Sequence, residues 1–531
     1  MASGLTAIQK IKPRSIAEFI PLMSNLASKD TQQTAQELLP EITAGAVADS
    51  QLFNSRKVFG NILTLGTSEI AARGIAFFGI AFLARQLGPE GFGIIGFATA
   101  VYSYLALAVT AGFNDIGARE VARRPQKAAD TAVNVILVRL ALALIIFAVV
   151  GLAVWLFEIK ENIELVVVLM SLSLFSLAID TSWAYKGLER NHRVGIALVL
   201  GQVLFVGTLL IFVKDASDIL IVPLAQFFGE IGVALLLLIP LLIPFGGISL
   251  NLREGWRMLR SSGFLTVTRM LRAIVYSFDV VLIGFWLGER EVGLYTAPYR
   301  ICFLFVAIAA AIHISYLPSI ARAFAQSIAQ AQTVAERAIN LGATIAAPMI
   351  VGGMILAAPL LEFIFGAEYV EGAAAFRLLL LSIGFIFIHG ANHHLLLVSH
   401  RTKTEMKIYI ITAMVNVGLN LIFIRRYGIV GAATVTALAE GLTWLMGLFV
   451  LRRAGIYLKI WRTILPPLIA SLLMGAILFA LSSLQMLFVS IIVGGICYFI
   501  FLAFLSGMIE GTPSYRQSIL NFAAELRERF L

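Results

Sequence analysis

The residues able to do chemistry in this chain are charged side chains set inside long apolar runs. Glu69 and Arg73 stand four apart, which on a helix puts them on one face. Arg269 and Arg272 share a later run with Asp279, while Arg139, Asp180, Glu230, Arg300 and Glu440 stand singly in others. An ionised group near the centre of a bilayer costs at least about 2.5 kcal/mol, so each needs a partner or a wet cavity. Arginine in such a place suits a phosphate, because its planar fork donates two parallel charge-assisted hydrogen bonds and keeps its proton. Glu69, Arg73, Arg139, Arg269, Arg272, Asp279 and Arg300 are therefore the candidate lining of a substrate cavity. Glu230, Glu440 and Asp180 are the candidates for coupling to H+ or Na+. Plainer readings stand beside these: Glu69 neutralises Arg73 within one turn, Asp279 does the same for Arg300 between helices, and Asp180 caps a helix end.

The elements that must hold these groups are membrane helices. The chain is 59% hydrophobic and 13% charged, against about 25% charged residues in a soluble domain. Its apolar runs recur from 58 to 508, each long enough at 1.5 Å per residue to cross a hydrocarbon core of about 30 Å. They are continuous instead of alternating, which excludes a barrel. The spans fall at 58–85, 92–112, 131–157, 163–185, 194–213, 219–244, 264–287, 294–316, 338–361, 375–398, 407–424, 429–451, 463–483 and 486–508, numbered 1 to 14. The even-numbered connections carry nineteen Lys and Arg and the odd-numbered ones six, with Arg425 and Arg426 the misfit. Cytoplasmic loops are the basic ones, so this asymmetry predicts both termini in the cytoplasm of a multi-pass protein. Most of the net charge of +9 is thereby topological, and nucleic acid is not an expected partner.

A repeat appears at an offset of 200: Leu87-Gly88 and Gly93-Ile94 recur as Leu287-Gly288 and Gly293-Leu294, each between one span and the next. Spans 1 and 7 thus correspond, as do 2 and 8, and Glu69 maps onto Arg269. The fold class expected is an all-α polytopic membrane protein of about fourteen transmembrane helices, with two six-helix bundles around a central cavity and two C-terminal helices. The divisions are 1–56, a polar cytoplasmic tail; 57–245, the first bundle; 246–262, a cytoplasmic linker; 263–452, the second bundle; 453–510, the two extra helices; and 511–531, a second cytoplasmic tail. Within the tail, 15–26 and 31–46 have the pattern of short surface helices, with disorder the alternative. Cys302 and Cys497 form no metal or disulfide pattern. His389, Asn392, His393 and His394 read as a polar patch, since adjacent histidines on a helix point about 100° apart. Asn416 and Asn420 read as interhelical hydrogen bonders. No Walker loop, GxSxG or HExxH is present, so neither a cofactor nor an enzymatic reaction is expected.

Several segments have a familiar form. Asp180-Thr-Ser-Trp183-Ala-Tyr-Lys-Gly187-Leu-Glu189, Arg85-Gln-Leu-Gly88-Pro-Glu-Gly91-Phe-Gly93, Arg119-Glu120, Tyr316-Leu-Pro318 with Arg322, and Asn416…Asn420 followed by Tyr427-Gly428…Ala433 occur in order on the matching spans. Together they resemble the Wzx-like polysaccharide flippases of the multidrug, oligosaccharidyl-lipid and polysaccharide exporter superfamily. The resemblance covers nearly all of 58–510; the long N-terminal tail departs from it. It implies alternating access and transfer of an undecaprenyl-pyrophosphate-linked oligosaccharide across a bacterial inner membrane for polysaccharide or envelope synthesis. Membrane lipids surround such a protein, and glycan polymerase or glycosyltransferase proteins are its expected partners. The competing expectation is a multidrug or cation antiporter of the same superfamily.

Overall fold

The computed structural model describes residues 29–157, 161–243, 250–481 and 486–508, and every regular element in these segments is helical. Helices are forced here, because lipid offers backbone N–H and C=O groups no partner outside their own segment. The described residues divide into two units after Thr64, and the description below concerns the second. The N-terminal surface helix expected at 15–26 lies outside the described residues.

Among the described residues, eleven helical stretches are long and apolar enough to cross a membrane. Two of them contain a break that separates a pair of spans. The helix Lys29–Thr110 has non-helical torsions at Gly88 (φ 65°), and Thr402–Arg453 has them at Gly428 (φ 59°). A positive φ of this kind strains any residue with a Cβ, so glycine sets the corner between spans 1 and 2 and between 11 and 12. Span 7 is read within the 35-residue helix Leu252–Trp286. That helix begins inside the segment read as a linker. Its start is fixed by span 3, where Asn134 Oδ1 accepts the Asn251 N–H at 2.8 Å and a Cβ on Gly255 would lie 2.7 Å from the Asn134 carbonyl.

Span 4 differs from its expected continuous helix. It consists of Glu161–Ser171, Ser173–Ile179 and Ser182–Gly187. The last break has a local cause: Asp180 accepts both the Ser182 N–H (3.0 Å) and its hydroxyl (2.6 Å). A short acidic side chain competing for backbone donors in this way favours a turn over helix.

Spans 5 and 6 pack together in the first half, and spans 8, 9, 10 and 11–12 pack around one another in the second. Span 13 lies on span 9 and span 14 on span 13. Hydrogen bonds fix this attachment: Asn340 Nδ2 donates to the Thr463 carbonyl (3.0 Å) and the Tyr498 hydroxyl to the Thr344 carbonyl (2.7 Å). Large apolar side chains such as Phe78, Trp155, Phe479 and Phe504 remain exposed, as a surface facing lipid requires.

Candidate functional site

The two halves meet at the ends of the spans joined by odd-numbered connections. Spans 2 and 8 cross there with almost no side chain between them. A Cβ on Gly93 would fall 1.7 Å from the Glu289 carbonyl oxygen, and one on Gly293 would fall 1.9 Å from that of Pro89. One on Gly96 would lie 2.9 Å from Thr296 Oγ1. The offset of 200 relates these contacts: Gly96 meets its own repeat mate, residue 296, while the contact of Gly93 with residue 289 and that of Gly293 with residue 89 are exchanged by it. The sequence repeat is therefore also a two-fold-like contact in space, a crossing of helix on helix of the kind small residues allow.

Around this crossing, the end of span 1 is held by the connection between spans 9 and 10. The Arg85 guanidinium donates to the carbonyls of Phe363 and Ile364. The buried Tyr369 hydroxyl donates to the Ala84 carbonyl at 2.9 Å, next to the turn where the helical ladder breaks. Phe92 packs edge-on against Tyr369, and Phe77 against Phe365. Arg290 and Glu371 form a two-pronged pair at 2.8 Å on the exposed rim. Tyr369→Phe should leave the Ala84 carbonyl buried without this donor, a loss of about 1–3 kcal/mol. The expected result is a fall of a few degrees in apparent melting temperature by thermal-shift fluorescence; an unchanged value would show that this staple does not support the seal.

At the opposite ends the halves are joined by the beginning of the span 7 helix, which packs on span 3 and on the short helix Phe113–Arg123. Among the described residues, spans 3–6 make no extensive packing with spans 8–12. Among the described residues, the halves thus meet backbone to backbone at the odd-numbered end, and at the even-numbered end they are joined through the start of the span 7 helix.

Of the charged groups predicted from sequence, Asp279 lies beside the seal. It is 1% exposed and accepts the Tyr295 hydroxyl (2.5 Å), the Thr436 hydroxyl (3.3 Å) and the Val280 N–H (2.8 Å). Neutral donors from spans 8 and 12 hold it, and Arg300 does not pair with it. Arg300 is half-buried on span 8 and makes no ion pair among the described residues. Glu69 is half-buried and Arg73 exposed, with no ion pair between them. Arg269 and Arg272 are carried by the span 7 helix, but their side chains lie outside the described residues. Glu230 accepts the Tyr102 hydroxyl from span 2 and the Gln226 amide from its own span, both at 3.0 Å. Glu440 is 5% exposed within span 12.

Arg139 takes a different place from a cavity wall. It is fully buried in the first half, donating to Asn114 Oδ1 (2.7 Å) and to the Asp180 carbonyl (3.3 Å) and lying near the faces of Phe113 and Trp183. Asp180 spends its carboxylate on Ser182. These two residues build the even-numbered end of the first half.

Other residues came into view only in three dimensions. His393 Nδ1 contacts the Glu405 carboxylate, which the next span supplies. Asn420 Nδ2 bonds Asn416 Oδ1 at 3.1 Å along one helix, so this pair joins its own turns where an interhelical tie was expected. Arg425 lies over Trp286 at 4.3 Å and Arg426 over Tyr427 at 5.6 Å, which accounts for two cations on a connection otherwise poor in them. The glycines of the crossing did carry a signal, since both belong to the repeat; Tyr102, Gln226, Tyr295 and Thr436 carried none, being ordinary polar residues in apolar runs.

The described residues form a polytopic all-helical membrane protein whose two repeat-related halves cross at one end. The likeness to solved structures agrees. The lipid II flippase MurJ in an inward closed conformation superposes with a TM-score of 0.70 at 17% identity, covering 83% of this chain and 98% of that one. An inward-facing transporter of the multidrug resistance MATE family, from the MOP superfamily, gives 0.62 at 18%, covering 73% and 94%. At such identities only the fold is shared. In sequence, residues 58–324, half of the chain, match the family described as polysaccharide biosynthesis protein, and the chain belongs to it. A protein of Escherichia coli (strain K12) named for O-antigen transport is 28% identical over 41% of this chain and 54% of its own length. The chain thus spans about half of that relative. A Haloferax volcanii protein named as a flippase of low-salt glycan biosynthesis is 22% identical over 71% of this chain and 80% of its own.

Proposed function

We propose that the chain is a flippase that carries an undecaprenyl-pyrophosphate-linked oligosaccharide from the cytoplasmic to the outer leaflet by alternating access, without catalysing a reaction. The observation that carries this reading is the crossing of spans 2 and 8 at Gly93 and Gly293, placed at the end opposite the basic connections. With the basic connections in the cytoplasm, the outward end is sealed and the inward end is free to load. The polyprenyl tail stays in lipid while the pyrophosphate and sugars enter between the halves. Arg73, Arg269, Arg272 and Arg300 supply the cations for the phosphates, with Glu69 beside them. Asp279, under the seal and held by hydroxyls of spans 8 and 12, sits where a change in its charge would reach the crossing. Glu230 and Glu440 are the further carboxylates available to an H+ or Na+ gradient. The protein resides in the inner membrane with both termini cytoplasmic, where glycan polymerase or glycosyltransferase proteins would meet it.

Reconstitution in liposomes tests the reading. Wild-type protein should move a fluorescent polyprenyl-diphosphate oligosaccharide between leaflets, and Arg269→Ala with Arg272→Ala should slow it about tenfold or more at unchanged amounts of folded protein. Absence of transfer by the wild type across several glycans, together with efflux of cationic dyes from cells, would replace the flippase with the antiporter of the same fold.

A further inference from the structure

The even-numbered end of the first half contains a cavity of about 580 Å³, within the usual size of small-ligand sites, that the central-cavity reading does not use. Two short helices form it: Phe113–Arg123 after span 2 and Ser182–Gly187 at the end of span 4. They are locked together, since a Cβ on Gly117 would lie 2.5 Å from the Trp183 ring and one on Gly187 would lie 2.5 Å from the Ala118 carbonyl. The walls present Asn114, Arg119, Ser182, Trp183 and Lys186, with Asp115 as the one carboxylate. Beneath them runs the network already described, in which buried Arg139 donates to Asn114 and to the Asp180 carbonyl, which the Trp183 indole N–H also reaches at 3.1 Å. The Nε of Arg139 has no partner there.

The charge of this cavity is set by which neighbours are already engaged. Glu120 pairs with Arg124 at 3.7 Å, and Arg193 lies over Tyr185. Arg119 and Lys186 are exposed, come from different helices, and both line the cavity. Against the single Asp115, two cations facing one space leave an excess of positive charge. Asn114, whose side-chain oxygen is held by Arg139, presents its amide at the same wall, while the Ser182 hydroxyl is already donated to Asp180. This pair of cations with an amide beside them matches a phosphate group. A purely topological excess of Lys and Arg would not be expected to converge from two helices on one polar cavity.

We propose that this cavity is a docking site for the diphosphate of a prenyl-linked headgroup at the cytoplasmic face, occupied before the headgroup passes between the halves. The assignment rests on the flippase reading for the identity of its ligand, and on the cavity alone for the phosphate chemistry. Arg119 provides the two-pronged contact and Lys186 a point charge from the facing helix.

The test uses the full-length protein in nanodiscs and follows phenylglyoxal modification of Arg119 by peptide mass spectrometry. Farnesyl diphosphate should slow modification of Arg119 about fivefold or more, as saturation of a single site does. Farnesol, of equal chain length without phosphate, should give no protection, and Lys186→Gln should abolish the protection by the diphosphate while the protein stays folded. Inorganic pyrophosphate and phosphatidylglycerol separate the sources of the phosphate: protection by phosphatidylglycerol but not by the prenyl diphosphate would overturn the proposal, as would equal modification rates in every arm. Failure of leaflet transfer with Arg119 still protected would sink the flippase reading and leave the phosphate site standing. Transfer without protection would do the reverse.

Discussion

Gly93→Leu should nearly abolish leaflet transfer while leaving the protein folded, because the side chain enters a space that exists only when spans 2 and 8 are apart. Even the first carbon would stand 1.7 Å from the Glu289 carbonyl oxygen, half the distance at which such atoms ordinarily touch. Overpacking costs about 1–3 kcal/mol in a core that can relax, and here the relaxation available is separation of the two helices. An overlap of about 3 kcal/mol felt by the sealed state alone would shift the two populations by about a hundredfold. Gly293→Leu should act in the same way, since its Cβ would lie 1.9 Å from the Pro89 carbonyl. The double substitution should add little, because either one already parts the same surfaces. Gly74→Ala, in open space on span 1, is the control. Opening can be read directly from Thr296→Cys, a position 6% exposed within the seal, in protein whose Cys302 and Cys497 have been replaced. Its labelling by an impermeant maleimide from outside should be slow with Gly93 in place and fast with Gly93→Leu. Wild-type transfer rates together with slow labelling in the Gly93→Leu protein would remove the crossing from any role as a gate.

Arg139→Ala should produce the largest loss of stability. Its guanidinium is fully buried, holds Asn114 and the Asp180 carbonyl, and lies between Phe113 and Trp183. Removing it leaves two buried acceptors without their donor, at about 1–3 kcal/mol for each. The void left between the two aromatic rings adds to this. Lysine would restore the charge but not the fork that reaches two acceptors at once, so Arg139→Lys should recover only part of the loss. Thermal unfolding in detergent and the yield of monodisperse protein measure both variants. An Arg139→Ala protein as stable as wild type, but inactive in transfer, would instead put this residue on the substrate path. The prediction matters for the site, because sequence alone places Arg139 beside Arg73 and Arg300 as one more intramembrane cation. Its surroundings separate it from them.

Membrane insertion, the helical class and the repeat were legible in the chain itself. Each follows from a local or periodic property: runs longer than the bilayer is thick, backbone groups that must be satisfied within their own segment, and Gly-containing corners recurring 200 residues apart. The glycines at 88 and 288 were readable for the same reason, since a left-handed corner (φ 65° and 96°) is a demand of the local backbone. The break in span 4 was not, because Asp180 and Ser182 stand inside one apolar run, and only the folded chain shows Asp180 capturing the Ser182 N–H and hydroxyl in place of the helix.

Partner choice could not be read at all. Glu69 with Arg73 and Asp279 with Arg300 satisfy spacing or charge on paper, yet Asp279 is held by Tyr295 and Thr436. Glu405 reaches His393 from a span that begins after it. A side chain in a membrane bundle is satisfied by whichever helix packs against it, and that is fixed by crossing angles and small-residue contacts which sequence distance does not encode. The sequence by itself thus determined that the chain is a polytopic bundle of membrane helices with a repeat at an offset of 200 and charged residues within its apolar runs. The tertiary structure decided which end is sealed, which arginine is part of the scaffold, and that Arg119 and Lys186, far apart in the chain, face one cavity.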